Sequence, residues 1–244
     1  MTARITLATA ARVLRQLRRD RRTLVLVLGV PALLLMIFRY VFDGQPMTFD
    51  RVGPPMVGIF PLVSMFLVTS IAMLRERTSG TLERLMSLPL GKLDLLAGYG
   101  IAFAVLATVQ AAVALAVAVW ALGLHVAGSL GAVYGFAVAN AILGMALGLL
   151  LSAFATTEFQ AVQFMPAAIL PQILLCGLLV PRERMAPLLD WISWALPMTY
   201  AYDGLARASS GLTGARVGID AAVVAAAALA ALALGALTLR RRTP

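Results

Sequence analysis

Residues 75–91 read Arg-Glu-Arg-Thr-Ser-Gly-Thr-Leu-Glu-Arg-Leu-Met-Ser-Leu-Pro-Leu-Gly and set a compact charged segment between two long apolar stretches. Leu82 and Leu85 are three apart, as are Leu85 and Leu88, so one face of a short helix is apolar. Glu76, Arg77, Glu83 and Arg84 give that helix a charged remainder. Gly80-Thr81 supplies a break or cap before the second half, and Pro89-Leu90-Gly91 ends it. The chemistry open to such a segment is recognition rather than bond making. Its apolar face either inserts into a groove on another protein or rests on a membrane surface, and the residues alone leave these two readings even.

Groups that make or break bonds are scarce. No G-x-x-x-x-G-K-[ST] occurs, because Gly91-Lys92 is followed by Leu93 and lacks the upstream glycine. These residues therefore build no phosphate-cradling loop. The one histidine, His125, falls in a short turn, which disfavours a metalloprotease needing two such ligands. The one cysteine, Cys176, lies in an apolar run and reads as a small buried residue; one thiol makes no intrachain disulfide and no Cys-based metal site. Ion-coupled transporters usually carry ionisable or irregular coordinating groups near the bilayer midplane. Here Glu158 and Asp220 fall at the ends of apolar runs, so a stand-alone ion-coupled secondary transporter, the alternative reading, has little to work with. No catalytic, cofactor-binding or metal-binding residue is assigned, and the chain is expected not to be an enzyme.

What must position the charged segment is a bundle of apolar helices. The 244 residues are 61% hydrophobic and 13% charged, with a mean hydropathy of +0.92, far from the roughly 25% charged residues of a soluble domain. An all-α polytopic membrane protein follows. The net charge of +9 comes from nineteen Arg and one Lys gathered at the ends of apolar runs. That is the distribution an orienting membrane selects, and it argues against nucleic-acid binding. The preference for Arg over Lys and the abundance of Ala suggest a GC-rich bacterial genome.

Six transmembrane helices are expected, at about 23–42, 54–74, 95–122, 130–154, 160–180 and 218–239. Pro166, Pro171 and Gly177 inside the fifth predict a kinked helix packed within the bundle. Residues 1–22 precede them as an N-terminal amphipathic interfacial helix: Leu7, Ala10, Val13, Leu14 and Leu17 recur at helical spacing against Arg12, Arg15, Arg18, Arg19 and Arg22. A signal peptide is disfavoured, since the basic stretch is long and Arg39-Tyr40 stands where a small-residue cleavage site would be. The remainder, 23–244, reads as one transmembrane domain. With both termini cytoplasmic, fourteen basic residues face the cytoplasm and six face outward, which favours that orientation.

The loop at about 181–217 carries Pro187-Leu188-Leu189-Asp190-Trp191-Ile192-Ser193-Trp194-Ala195-Leu196-Pro197, too short to span, and is expected to form short re-entrant external helices with Trp191 and Trp194 at headgroup depth. Gly131-x-x-x-Gly135 and Gly144-x-x-x-Gly148 permit close helix approach, read as packing within the chain in preference to a subunit interface. Gln110, Asn140, Gln160, Gln163 and Gln172 are candidates for interhelical glue, ahead of a cargo contact.

The stretch Arg75-Glu-Arg-Thr-Ser-Gly-Thr-Leu-Glu-Arg-Leu resembles the E-R-x-x-G-T-L-E-x-L segment of ABC-2 type transporter permeases. A second match, Cys176-Gly-Leu-Leu-Val-Pro-Arg-Glu-Arg-Met-Ala-Pro continuing to Leu196-Pro-Met-Thr-Tyr-Ala, is similar to that family's fifth span and re-entrant helices. The resemblance covers nearly the whole chain and is closest to the drug and antibiotic exporters. It implies the permease subunit of an ATP-driven ABC exporter in the bacterial inner membrane, paired with a second permease chain as a homo- or heterodimer. A cytoplasmic ABC ATPase subunit would carry the ATP and Mg. By position, Arg75, Glu76, Gly80, Thr81, Leu82, Glu83 and Leu85 would couple to that ATPase, and Gly177, Pro181, Trp191, Pro197 and Tyr200 would form the external gate.

Overall fold

A computed structural model describes residues 3–80, 92–212 and 214–238, and all its regular elements are helices. The helices are α1 (Ala3–Arg19), α2 (Arg21–Val41), α3 (Pro46–Thr78), α4 (Lys92–Ala116), α5 (Leu130–Leu151), α6 (Glu158–Leu175), α7 (Pro187–Ser193), α8 (Pro197–Ser209) and α9 (Ala215–Thr238). A π turn, Val117–Ala121, extends α4, and a 3₁₀ turn, Arg182–Arg184, precedes α7. Among the described residues, five helical segments are long and apolar enough to cross a membrane: α2, α3, Asp94–Ala121, α5 and α9. The expected fifth span is helical as α6 but falls outside that set; Glu158, Gln160, Gln163 and Gln172 dilute its apolar character.

At the centre α3 crosses α5, and the other long helices pack around them. Both are 61% buried over their most apolar stretch, against 17% for α2 and 22% for α9. Lipid tails are as apolar as leucine, so these two helices meet through small residues and hydrogen bonds rather than by exclusion from water. A Cβ on Gly144 would collide with the Leu62 backbone, and one on Gly148 with the Thr69 hydroxyl and the Phe66 backbone. Thr69 Oγ1 lies 2.7 Å from Met65 O in its own helix and 3.2 Å from Met145 O across the crossing. Gly135, by contrast, faces open space. The second glycine pair therefore packs inside the chain, as expected.

Several local expectations shift. α3 begins at Pro46 and runs through Pro54 and Pro55, where the sequence suggested a start after them. Both prolines lie inside the helix, beyond its first two turns, so the ladder lacks the bonds that N–H groups there would make to the Asp50 and Arg51 carbonyls. α6 is peripheral rather than enclosed: of its residues Ala161 and Ile169 are buried, while Phe159, Val162, Leu170 and Leu174 are exposed. Among the amide side chains, Gln110 is interhelical glue, its Nε2 donating to Val27 O at 2.8 Å. Gln160 instead caps its own helix, accepting from the Thr156 N–H, and Gln172 bonds Ala168 O within α6. Asn140 is fully buried, and neither amide atom has a partner among the described residues.

Gly148→Ala is expected to destabilise the chain by about 1–3 kcal/mol through overpacking, whereas Gly135→Ala leaves it unchanged. Thermal unfolding of both variants in lipid nanodiscs measures the difference.

Candidate functional site

At the end of α3 the ladder stops by a specific device. Ser79 N–H bonds Arg75 O at 2.9 Å, Gly80 N–H bonds Arg77 O, and Gly80 adopts φ +71°. A left-handed residue after the last turn closes the final carbonyls, and glycine takes that conformation without a Cβ penalty. The last turn of α3 thus carries the first residues of the charged segment, Arg75 to Thr78. Thr81, Leu82, Glu83 and Leu85 lie outside the described residues.

Arg75 and Glu76 sit side by side yet serve different contacts. Arg75 is exposed and donates through Nε and Nη2 to the two oxygens of Glu158 at 2.7 and 3.1 Å, joining α3 to the start of α6. That hydrogen bonding holds the Glu158 carboxyl below the usual glutamate range. Glu76 points the other way and is buried. Its Oε1 lies 3.7 Å from Arg12 of α1, whose guanidinium also donates to the Tyr99 hydroxyl of α4 and lies over that ring, 5.6 Å from its centre. Three elements therefore meet on one guanidinium.

Helix α1 is held there by packing as well as charge. Ala10 and Val13 are buried in the same apolar cluster as Leu95, Tyr99 and Phe103. The Thr6 hydroxyl donates to Asp94 Oδ1 at 3.3 Å, and a Cβ on Gly98 would stand 2.9 Å from Thr6 O. The basic stripe gave the helix correctly, but its apolar face lies on α4 instead of only on a membrane surface. Asp20 then caps α2, accepting from the Thr23 N–H and hydroxyl, contacts that lower its pKa.

The residues predicted to be external fall on the turns and short helices that follow α6. Gly177, at φ +99°, ends α6, and Pro181 opens the 3₁₀ turn. Pro197 is the first residue of α8. The Tyr200 hydroxyl donates to Trp194 O at 2.9 Å, and the two rings meet edge-on at 6.3 Å. Trp191 is 75% exposed.

Sequence reasoning missed what ties this end together. Arg182 lies 4.5 Å from the centre of the Trp194 ring and donates to Asp203 at 2.6 Å. Arg207 donates to the same carboxylate at 3.2 Å and also to Asp220 of α9. Asp203 and Arg207 are four apart on α8, a spacing visible in the sequence, but nothing there linked them to Arg182 or Asp220.

Two outcomes follow from these pairs. Asp203→Asn leaves two half-buried guanidiniums short of a carboxylate, and a loss of about 3 kcal/mol is expected, read as faster amide exchange in α7 and α8. For Arg75–Glu158, the depressed Glu158 pKa means the bridge contributes fully above the unfolded glutamate pKa of about 4.3 and is lost as pH falls through the lower folded value. The stability gap between wild type and Glu158→Gln is therefore small at neutral pH, as for exposed pairs, and closes on acidification; unfolding midpoints across pH 3–7 test it.

The comparisons with known proteins agree with this architecture. The ABC-2 type transporter family model matches residues 5–208. The chain is 32% identical over 152 residues to the "Probable multidrug ABC transporter permease YbhR" of Escherichia coli (strain K12), covering 62% of this chain and 41% of that protein. It is 27% identical over 163 residues to the "Probable multidrug ABC transporter permease YbhS" of the same strain, covering 66% and 43%. It is 28% identical over 152 residues to "ABC transporter G family member 20" of Dictyostelium discoideum, covering 62% and 21%. The chain thus spans less than half the length of these curated relatives. With its match over residues 5–208 and its set of long apolar helices, this multi-pass membrane chain belongs to the ABC-2 type transporter family.

Proposed function

We propose that the chain is the permease subunit of an ATP-driven exporter in the bacterial inner membrane. It moves an amphipathic or apolar substrate outward with a separate cytoplasmic ATPase that carries the ATP and Mg. The family match is the observation that carries this reading; the lack of a phosphate-binding loop in these 244 residues supports it. In this reading α6 is a sixth span, so that the segment after α3, the α5–α6 turn and both termini are cytoplasmic, in line with the Arg and Lys asymmetry. α7 and α8 are re-entrant on the outer side.

Residues 75–91 then form the region gripped by the ATPase. The contacts of Arg12 with Tyr99 and Glu76 support that assignment, because they connect the exit of α3 to α1 and α4. Movement of the segment would be passed to three helices at once. The exposed apolar faces of α2 and α6 suit a second permease chain, identical or related. The word "multidrug" in the names of two relatives favours a drug-like cargo.

The test is partner-dependent export from inverted vesicles containing the chain and its ATPase. Glu83→Ala, and Gly80→Pro at a left-handed position, are expected to abolish ATP-dependent export while insertion stays normal. Wild-type transport without any ATPase, collapsed by an uncoupler and insensitive to vanadate, would sink the proposal in favour of ion coupling.

A further inference from the structure

A cleft of about 730 Å³ opens between α1, the start of α2, the last turns of α3 and the first half of α4. Its size falls within the roughly 300–1,000 Å³ of sites that take drug-sized ligands. One wall is apolar, made by Val13, Leu26, Val68, Ile71 and Phe103. Leu26 is also exposed on the outer face of α2, so the cleft communicates with the lipid side of the helix. The other wall is charged: Arg12, Asp20, Arg75, Glu76 and Glu158, three carboxylates against two guanidiniums.

The carboxylates differ in what they lack. Asp20 has both oxygens on Thr23, and Glu158 has both on Arg75. Glu76 is 9% exposed, and its Oε2 is buried with no hydrogen-bond partner among the described residues. A buried, charged acceptor without a donor is costly, and the cost is removed by any group that brings one. Both guanidiniums are already engaged, which disfavours an anionic headgroup. Arg15, Arg18, Arg19, Arg21 and Arg22 are exposed and do not line the cleft; across water their field decays over about 8 Å at physiological salt.

We propose that this cleft binds an amphipathic organic ammonium, its N–H donors meeting Glu76 and its apolar body lying along Val68, Ile71 and Phe103. The ammonium belongs either to a free amphiphile or to an ethanolamine lipid headgroup. As a statement about cargo this rests on the exporter reading; as a statement about binding it does not.

The experiment uses the full chain in phosphatidylcholine nanodiscs without ATPase, with dodecylammonium as probe and empty-disc partitioning subtracted. Saturable binding is expected. Glu76→Gln should weaken it roughly tenfold or more, as for loss of a charged hydrogen bond. Ile71→Trp, which fills the apolar wall and keeps every charge, should weaken it as well. Dodecyltrimethylammonium, which has the charge but no N–H, should bind several-fold more weakly than the primary amine. Adding phosphatidylethanolamine separates the sources: displacement of the probe assigns the site to the lipid headgroup, and undiminished binding assigns it to the free amphiphile. Equal binding by wild type and both variants, or a preference for dodecyl sulfate, would overturn the proposal. A binding result of either kind leaves the ATP-dependent export assay independent, so failure of one reading is not mistaken for failure of the other.

Discussion

The crossing of α3 and α5 is the contact on which the rest of the chain depends. Inside a bilayer no water remains to be expelled, so helices stay together only where backbones come close enough for dispersion and hydrogen bonds to count. Gly144 and Gly148 remove the side chains that would hold the axes apart, and the Thr69 hydroxyl reaches Met145 O across the gap. Helix α9 packs on α5, α8 fills the angle between α3 and α5, and α2 and α4 lie against α3. Both charged ends hang on this pair: Arg75 and Glu76 ride on one end of α3, and α8 with Asp203 packs against the other.

The two ends are built by different electrostatics. At the α8 end Asp203 is shared by two guanidiniums, one of which also holds Asp220, so α8, α9 and the turn after α6 are fastened through half-buried pairs. At the α1 end the bidentate pair between Arg75 and Glu158 is exposed and weak in water. Beside it the Glu76 carboxylate is buried but only half satisfied. Each end also keeps a buried polar atom without a hydrogen-bond partner among the described residues, Glu76 Oε2 at one and Arg182 Nη1 at the other.

Composition and period were enough to read the long helices, because a bilayer allows few alternatives to an apolar helix. Basic residues against Leu7, Ala10 and Val13 gave α1, and Gly80, read as a break or cap, stands just past the end of α3. Partners were not legible. The contact joins Arg12 to Glu76 and Tyr99, each more than sixty positions from it, and no local pattern encodes it. The π turn at Val117–Ala121 also left no mark in an unbroken apolar run. For α6 the error was one of environment: prolines and glutamines suggested enclosure, whereas Gln160 and Gln172 satisfy groups of their own helix and its cap.

The 33 residues of α3 make a rod roughly 50 Å long at 1.5 Å per residue, well beyond a hydrocarbon layer about 30 Å thick. Its prolines, Pro54, Pro55 and Pro61, all lie in the half that meets α8, where a helix kinks most readily, and none interrupts the stretch from Leu62 to Thr78. A lever of that length converts a small rotation into a large sweep: tilting it by about 5° carries its far tip by about 4 Å. Displacement applied where the helix emerges at Arg75 thus arrives magnified or reduced at the opposite surface according to where along its length the crossing with Gly144 and Gly148 sets the fulcrum.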